Sequence, residues 1–231
     1  MAAVTGALGS GKTEWVLNLA LGFSAYGDSV TIADMDIINP YFCIRQVADK
    51  LEEFGFKIIN SPERARWMDM SVVSPEVSRA LAMEGGRLLL DIGGDANGAL
   101  ALKQFEPDIR NAGYLLMLVV NAFRPQTSTP ETIRVMLNRM EDICGLKVGA
   151  LISNSHLMDE TTPEDCASGT EAVYEAGEAL GLPVLYGGVK PGLYEEAAKI
   201  LKARGVPVPL WPLSRHMMLP WEEGAMWSSG A

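Results

Sequence analysis

Short apolar runs alternate along the chain with longer segments in which apolar residues recur every three or four positions. The short runs predict buried strands, and the longer segments predict amphipathic helices. Regular alternation of the two is typical of a parallel sheet whose faces are both covered by helices. We therefore predict an α/β fold of three layers, with a mainly parallel sheet of about seven or eight strands.

The limits of the apolar runs predict the individual elements. Strands are predicted at Ala2–Thr5, Ser29–Ala33, Lys57–Asn60, Arg87–Asp91, Tyr114–Asn121, Val148–Ser153, Val184–Gly187 and Val206–Pro209. Helices are predicted at Lys12–Tyr26, Ile44–Phe54, Pro75–Glu84, Gly98–Asn111, Pro130–Cys144, Pro163–Leu180 and Gly192–Arg204. In the first helix, Trp15, Leu19 and Phe23 recur at helical spacing, which predicts a face turned to the core.

Neither a repeat nor a linker divides the chain, so we predict one domain over residues 1–205 followed by an extension over residues 206–231. The extension concentrates Trp and Met and is interrupted by prolines. Because prolines break a long amphipathic helix, we do not expect this segment to dock on a membrane. We expect it to pack along the domain or to contact a protein partner.

The net charge and the cysteines indicate which ligands and which cellular location to expect. The formal net charge of the 231 residues is −10, and no stretch is dense in Lys or Arg, so nucleic acid is not an expected partner. The three cysteines are scattered without a CxxC pair, which suits a reducing cytosol and predicts neither a disulfide framework nor a metal cluster. We find no secretory signal, and the most apolar run is too short to span a bilayer. We therefore expect a cytoplasmic protein in which any anionic ligand occupies a local site.

Residues 6–13 read GALGSGKT and match the pattern GxxxxGK[ST] between a predicted strand and a predicted helix. Glycines let the backbone wrap closely around a polyphosphate, and the helix N-terminus adds partial positive charge. We expect Lys12 to reach the β- and γ-phosphates and Thr13 to bind Mg²⁺. The residues of this segment predicted to contact the nucleotide are Gly6, Leu8, Gly9, Ser10, Gly11, Lys12, Thr13 and Glu14.

Two further segments place carboxylates at strand ends beside this loop. Asp34 and Asp36 follow the second strand, where a carboxylate can orient an attacking water or order water on Mg²⁺; two solvated loop aspartates are the alternative. Asp91 ends an apolar strand and is expected to bind Mg²⁺ through water, while the N–H group of Gly94 is placed to sense the γ-phosphate. The loop from Asp91 to Asp95 is therefore a candidate switch, and a plain strand-end turn is the alternative.

The base of the nucleotide is expected near Asn154, which ends another apolar strand. Guanine selection uses a carboxylate three residues after such an asparagine, and this chain has Leu157 there, so adenine is favoured. Val189 and Pro191, in the segment YGGVKPG, are expected to form the other wall of the base pocket, or else only a structural turn. Arg124 is expected either to grip a phosphate or a substrate carboxylate, or to be a solvated loop residue.

Together these segments resemble the signal-recognition, MinD and BioD class of P-loop NTPases over nearly the whole chain. More narrowly, the segments DMDIINPYF, VVNAFRPQTSTPE and TTPED are similar to those of MinD/ParA-like ATP-binding proteins whose cellular role is poorly defined. The resemblance implies a P-loop NTPase fold, bound ATP or ADP, and Mg²⁺. It implies that the nucleotide and magnesium residues are Lys12, Thr13, Asp34, Asp36, Asp91 and Asn154.

The chain departs from three groups within this class. MinD/ParA-type proteins carry a second lysine, which reaches across a dimer, where this chain has Ala7; Arg45 or Arg124 would have to replace it. The paired cysteines of the nitrogenase iron protein are missing from residues 91–95. CobW-type GTPases carry a cysteine-rich metal motif and a guanine-reading aspartate, and this chain has neither.

The sequence therefore favours a Mg²⁺-dependent ATP-binding protein, a slow ATPase that acts as a nucleotide switch for an unidentified protein client. In this reading the catalytic residues are Lys12, Asp34 and Asp36, and the metal residues are Thr13, Asp36 and Asp91. The alternatives are an ATP-dependent kinase or ligase of small molecules resembling dethiobiotin synthetase, a CobW-like GTPase, and a module that only binds nucleotide. A homodimer is compatible with each of them.

Overall fold

The computed structural model of the chain describes residues 1–36, 44, 47–60, 76–83 and 85–217. Its eight strands form one sheet in the order β3-β2-β4-β1-β5-β6-β7-β8, and each pair of neighbours runs parallel. The strands are β1 (Ala2–Gly6), β2 (Val30–Met35), β3 (Lys57–Ile59), β4 (Arg87–Ile92), β5 (Leu115–Val120), β6 (Val148–Ser153), β7 (Val184–Val189) and β8 (Leu210–Pro212).

Helices cover both faces of this sheet. They are α1 (Lys12–Ala25), α2 (Ala48–Glu53), α3 (Glu76–Leu81), α4 (Ala96–Lys103), α5 (Glu106–Ala112), α6 (Pro130–Cys144), α7 (Pro163–Leu180) and α8 (Tyr194–Arg204). Short 3₁₀ turns with both ends in the described residues lie at Pro125–Thr127, Met158–Glu160 and Pro191–Leu193.

The core has two main layers because successive strand residues point to opposite faces of the sheet. Leu90 and Ile92 pack with the cluster that contains α3 to α7, whereas Leu89 packs with the cluster that contains α1 and α2. A third, small cluster joins α8 to α7 and β7. The predicted three-layer α/β architecture is therefore confirmed.

The predicted helix at Gly98–Asn111 is wrong in one respect, because two helices, α4 and α5, occupy this stretch. Pro107 lies in the first turn of α5. A proline has no N–H group to donate to the carbonyl four residues earlier, so it ends a continuous helix but suits the first turn of a new one.

The last strand is also displaced from its predicted place at Val206–Pro209. Leu210–Pro212 form β8, and the N–H group of Gly187 donates to the carbonyl of Pro209 at 2.9 Å. Pro207 and Pro209 carry no N–H group and therefore cannot donate to a ladder. A strand does pair with β7 in this part of the chain, but its pairing begins at Leu210, directly after Pro209.

Several predicted features lie outside the described residues. These are residues 37–43 and 45–46, which include Cys43 and Arg45, together with residues 61–75, residue 84 and the tail from residue 218 onward. Within the described part of the chain, no helix is both long enough and apolar enough to cross a membrane.

Candidate functional site

The segment between β1 and α1 forms a tight loop at the centre of the sheet, where β1 lies between β4 and β5. Gly9 and Gly11 adopt φ angles of +76° and +84°, a region that residues with a Cβ atom rarely occupy. A Cβ atom on Gly6 would overlap Ser10 Oγ, and the loop is closed by a 3.0 Å bond from the Ser10 N–H group to the carbonyl of Ala7. The glycines of the motif are therefore required by the geometry of the loop.

Lys12 is the first residue of α1, and its side chain is directed to the strand ends rather than to solvent. Its Nζ lies 2.9 Å from Asp36 Oδ2, and both side chains are buried. Burial acts to lower the pKa of Lys12, but the negative charges of Asp91 and Asp36 outweigh it, and the net pKa is raised. The ammonium group therefore remains charged in the interior.

Thr13 connects α1 to the end of β4. Its hydroxyl donates to Asp91 Oδ2 at 2.8 Å. Asp91 is fully buried, and this burial raises the pKa of its carboxyl group to about 7, with Lys12 opposing the rise and Asp34 adding to it. Among the described residues, Asp91 Oδ1 has no hydrogen-bond partner.

Asp34 lies beside Asp91 because β2 and β4 are neighbours in register at these two residues. Asp34 Oδ1 accepts a hydrogen bond of 3.1 Å from the N–H group of Asp36, so it shapes the end of β2. The structure thus brings together the predicted residues Lys12, Thr13, Asp34, Asp36 and Asp91. Asp36 contacts the Lys12 ammonium group directly, and the charge of Asp91 also acts on that group.

The loop after β4 packs directly on the phosphate loop. A Cβ atom on Gly94 would overlap the carbonyl oxygen of Gly6, so only glycine permits this approach. The hydroxyl of Thr5 donates to the carbonyl of Gly93 at 3.4 Å. Asp95, whose role the sequence leaves open, caps α4 by accepting from the N–H groups of Asn97 and Gly98 at 2.9 and 2.8 Å.

A cavity of about 500 Å³ opens beside the loop. Leu8, Gly9, Gly11, Lys12, Thr13 and Glu14 line one side of it. Asn154 and Val189 also line it, as predicted for a base pocket, whereas Pro191 is not among its lining residues and begins a 3₁₀ turn instead. The amide of Asn154 donates to the carbonyl of Ser10 at 2.7 Å, so this side chain also holds the phosphate loop in place.

The cavity is locally basic although the chain as a whole is acidic. Four cations and two carboxylates line it, which are Lys12, Arg124, Lys190, Arg215, Glu14 and Asp159. The pKa of His156, which also lines the cavity, is lowered by burial and then by the charges of Arg124, Lys190 and Arg215. An anion in this cavity would meet a field opposite to that of the whole protein.

Arg124 lies against the phosphate loop rather than in solvent. A Cβ atom on Gly9 would be 3.1 Å from a terminal nitrogen of its guanidinium group. Its Nε atom is buried and has no hydrogen-bond partner among the described residues. Of the two readings of the sequence, this placement favours a group that contacts an anionic ligand.

The sequence did not reveal the wall of the cavity formed by residues 213–217. Glu14, which was predicted to contact the nucleotide, accepts from the N–H groups of His216 and Met217 at 2.9 and 2.6 Å. Burial raises the pKa of the Glu14 carboxyl group to about 7, and these two bonds oppose the rise. Contacts between residues some two hundred positions apart leave no local pattern, so no sequence signal was available for them.

Among known proteins, no family model and no curated sequence matches the chain. Its fold is similar to that of the cell division protein FtsY of Thermotoga maritima, with a TM-score of 0.57 and 18% identity over 80% of this chain and 60% of that one. Chloroplast FtsY from Physcomitrella patens gives a TM-score of 0.55 at 19% identity, covering 87% of this chain and 64% of its own.

The signal recognition particle 54 kDa protein of Aeropyrum pernix, solved in complex with GDP, gives a TM-score of 0.54 at 17% identity over 89% of this chain and 46% of that one. This chain thus spans less than two thirds of each of these proteins. The similarity shows that the fold is that of a P-loop NTPase.

Proposed function

We propose that the chain binds a nucleoside triphosphate with Mg²⁺, hydrolyses it slowly, and acts as a nucleotide switch for a protein partner. The observation that carries this proposal is the arrangement of Lys12 and Thr13 in the cavity lining, with Asp91 buried behind Thr13. A buried ammonium group, a hydroxyl and a buried carboxylate meet there beside a glycine loop whose shape requires its glycines. A plain strand-to-helix turn has no need of these groups.

The triphosphate would lie along residues 8–13, of which all but Ser10 line the cavity. Lys12 would exchange its contact with Asp36 for phosphate oxygens, and the first N–H groups of α1 would donate to them because a helix start leaves such groups without intrahelical acceptors. Arg124, with a buried Nε available beside Gly9, would add a second cation. These contacts supply the local attraction that an anion needs in a protein of net charge −10.

The oxygen donors at the site fit Mg²⁺. This ion usually binds through one or two carboxylates and completes its shell with other oxygens, from water and substrate phosphates among them. Thr13 and Asp91 lie within 2.8 Å of each other, and Asp91 Oδ1 lacks a partner among the described residues, so these two side chains and Asp36 would hold the ion. When bound, the ion would neutralise charge on the phosphates.

Hydrolysis requires a water molecule oriented toward the γ-phosphate, and Asp34 and Asp36 are the candidates for this role. Both are buried at the end of β2, beside Lys12. Gly94 packs on Gly6, so a change at the phosphates would shift the loop from Asp91 to Asp95. Because Asp95 caps α4, the shift would also reach this helix. This loop is the proposed switch.

We propose ATP as the nucleotide, with ADP as its product. Leu157 offers no carboxylate for a guanine base and is 45% exposed. A CobW-like GTPase remains the alternative on this point, and direct competition between ATP and GTP decides between them.

The MinD/ParA-like relationship, a homodimer and a cytoplasmic location belong to the same proposal. The cytoplasmic location is supported by the two described cysteines, Cys144 and Cys166, which are buried and free.

The second candidate function is an ATP-dependent kinase or ligase for a small molecule, as in dethiobiotin synthetase. The placement of Arg124 at the cavity favours it, because a guanidinium group there would also hold a substrate carboxylate. Such an enzyme would accelerate phosphate release when one metabolite is added, whereas a switch ATPase would respond to a protein.

Phosphate release from Mg²⁺-ATP by the purified protein tests the proposal. We expect slow release that falls by at least about a hundredfold in Lys12→Ala, because the variant loses the cation that faces the transferred phosphoryl group. Lys199→Ala, on the exposed side of α8, is the matched control and should behave like the wild type. Equal rates in the Lys12→Ala and wild-type proteins would refute hydrolysis at this site.

A further inference from the structure

The five residues after β8, Leu213 to Met217, cross the outer side of α1 next to the phosphate loop. Two residues of α1 hold their backbone. Glu14 accepts from the N–H groups of His216 and Met217 through both of its carboxylate oxygens, at 2.9 and 2.6 Å. We call residues 213–217 the C-terminal wall.

Asn18 holds the same segment one turn further along α1. Its Oδ1 atom accepts from the N–H group of Ser214 at 3.0 Å, and its Nδ2 atom donates to the carbonyl of Ser214 at 2.8 Å. Asn18 is 7% exposed, and its Nδ2 atom also donates to the carbonyl of Glu14. Four hydrogen bonds from two helical side chains thus fix the backbone of a segment about two hundred residues away in sequence.

The start of the C-terminal wall is fixed from the other side as well. The N–H group of Leu213 donates to the carbonyl of Val189 at 2.8 Å, which continues the pairing of β8 with β7. Trp211, in β8, packs against Trp15 and Tyr186 with ring centroids 6.2 and 5.2 Å apart. The strand that precedes the C-terminal wall is therefore fixed by backbone pairing and by aromatic packing.

The C-terminal wall lines the same cavity as the phosphate loop and lies beside Val189. Leu213, Ser214, Arg215 and Met217 all line this cavity, as do Asn154 and Val189. The apolar side chains of Val189, Leu213 and Met217 suit the faces of a flat ring, and Ser214 and Arg215 offer polar groups at its edge. The side chains in this part of the cavity therefore suit a base and a sugar.

We propose that Glu14 and Asn18 are positioning residues that hold the C-terminal wall in place, and that this wall determines binding of the nucleoside part of the nucleotide. The proposal rests on the proposed nucleotide-binding function and deepens it. Glu14 directly follows Thr13 in the first turn of α1. Thr13 would act at the phosphates and Mg²⁺, and Glu14 would hold the wall of the nucleoside pocket.

The test compares two ligands that share phosphates but differ in the nucleoside. Affinities for Mg²⁺-ATP and for inorganic tripolyphosphate with Mg²⁺ are measured by competition against a fluorescent ATP analogue. Asn18→Ala and Glu14→Gln should each weaken ATP binding by about tenfold, the effect of one or two lost hydrogen bonds, and leave tripolyphosphate binding unchanged. Lys12→Ala should weaken both ligands.

Asn138→Ala and Glu178→Gln, on exposed helix positions, are the matched controls and should alter neither affinity. Retained tripolyphosphate binding also shows that a variant is folded; should Asn18→Ala fail to fold, Glu14→Gln decides. Two results would overturn the inference, provided that the wild type binds both ligands and that Lys12→Ala weakens both. In the first, Asn18→Ala and Glu14→Gln weaken the binding of ATP and of tripolyphosphate equally. In the second, they weaken the binding of neither ligand. Failure of the wild type to bind either ligand would instead overturn the proposed function itself.

Discussion

Single residues at the strand ends are arranged for ligand binding at the expense of stability. Asp34, Asp36 and Asp91 are all buried at neighbouring strand ends, and Lys12 contacts Asp36. Like charges at this spacing repel one another, and full burial of Asp91 raises its pKa to about 7. Such strain is expected where a cationic ligand completes the site.

Asp91→Asn should therefore stabilise the protein when metal and nucleotide are absent. The amide keeps an oxygen that can accept from Thr13, but it removes a buried charge, so we expect the free energy of unfolding at about pH 8 in chelator to rise by about 2 kcal/mol. Asp142→Asn, on the exposed side of α6, should change it by less than about 0.5 kcal/mol. Urea unfolding measures both, and a less stable Asp91→Asn protein would contradict the account of the site.

His156 should report occupancy of the cavity through its pKa. Burial and the charges of Arg124, Lys190 and Arg215 lower this pKa in the free protein. Bound phosphates would offset those cations, so the pKa should rise on binding. Nucleotide affinity should then increase as the pH falls through the pKa of the bound state and level off below the pKa of the free protein.

An NMR titration of the imidazole signals with and without Mg²⁺-ATP measures this shift. The chain has two histidines, and His216→Gln assigns the other signal. An unchanged or lower pKa of His156 in the presence of bound nucleotide would place the phosphates elsewhere.

At the scale of elements, the site depends on close contact between two loops at the carboxyl ends of β1 and β4. Gly94 touches Gly6 so closely that no other residue fits. Sequence reasoning found both loops, because each glycine follows an apolar strand. It could not separate α4 from α5 or identify Asp95 as a helix cap, since both features depend on where each helix begins.

Gly94→Ala should force the two loops apart, because its Cβ atom would overlap backbone and not a movable side chain. We expect a loss of about 1–3 kcal/mol in unfolding free energy together with weaker binding of Mg²⁺-ATP. Gly192→Ala is the control for stability, since its added Cβ would meet nothing within 4 Å. Thermal unfolding that is the same for Gly94→Ala and wild type would show that the loops do not need this contact.

Asp95→Ala should lower stability by about 1 kcal/mol through loss of the N-cap of α4. Asp95→Asn, whose side-chain oxygen can still accept from the same N–H groups, should restore most of it. If the alanine and asparagine variants melt at the same temperature, charge rather than capping explains the residue.

At the scale of the whole molecule, the fold could be predicted because its determinants are local. Short apolar runs alternate with segments in which apolar residues recur every three or four positions, and parallel strands joined by helices bring all their carboxyl ends to one edge. The phosphate loop, Asp34 and Asp91 therefore converge without any long-range information. The C-terminal wall could not be predicted, because its contacts to Glu14 and Asn18 join the two ends of the chain.

The most direct test of the central claim is calorimetric titration of the full chain with ATP in the presence of Mg²⁺. The account predicts one site per chain, weaker binding of GTP than of ATP, and a loss of affinity of at least about a hundredfold in Lys12→Ala, or nearly 3 kcal/mol. Absence of binding to the wild-type protein, or equal affinity of the wild-type and Lys12→Ala proteins, would contradict it.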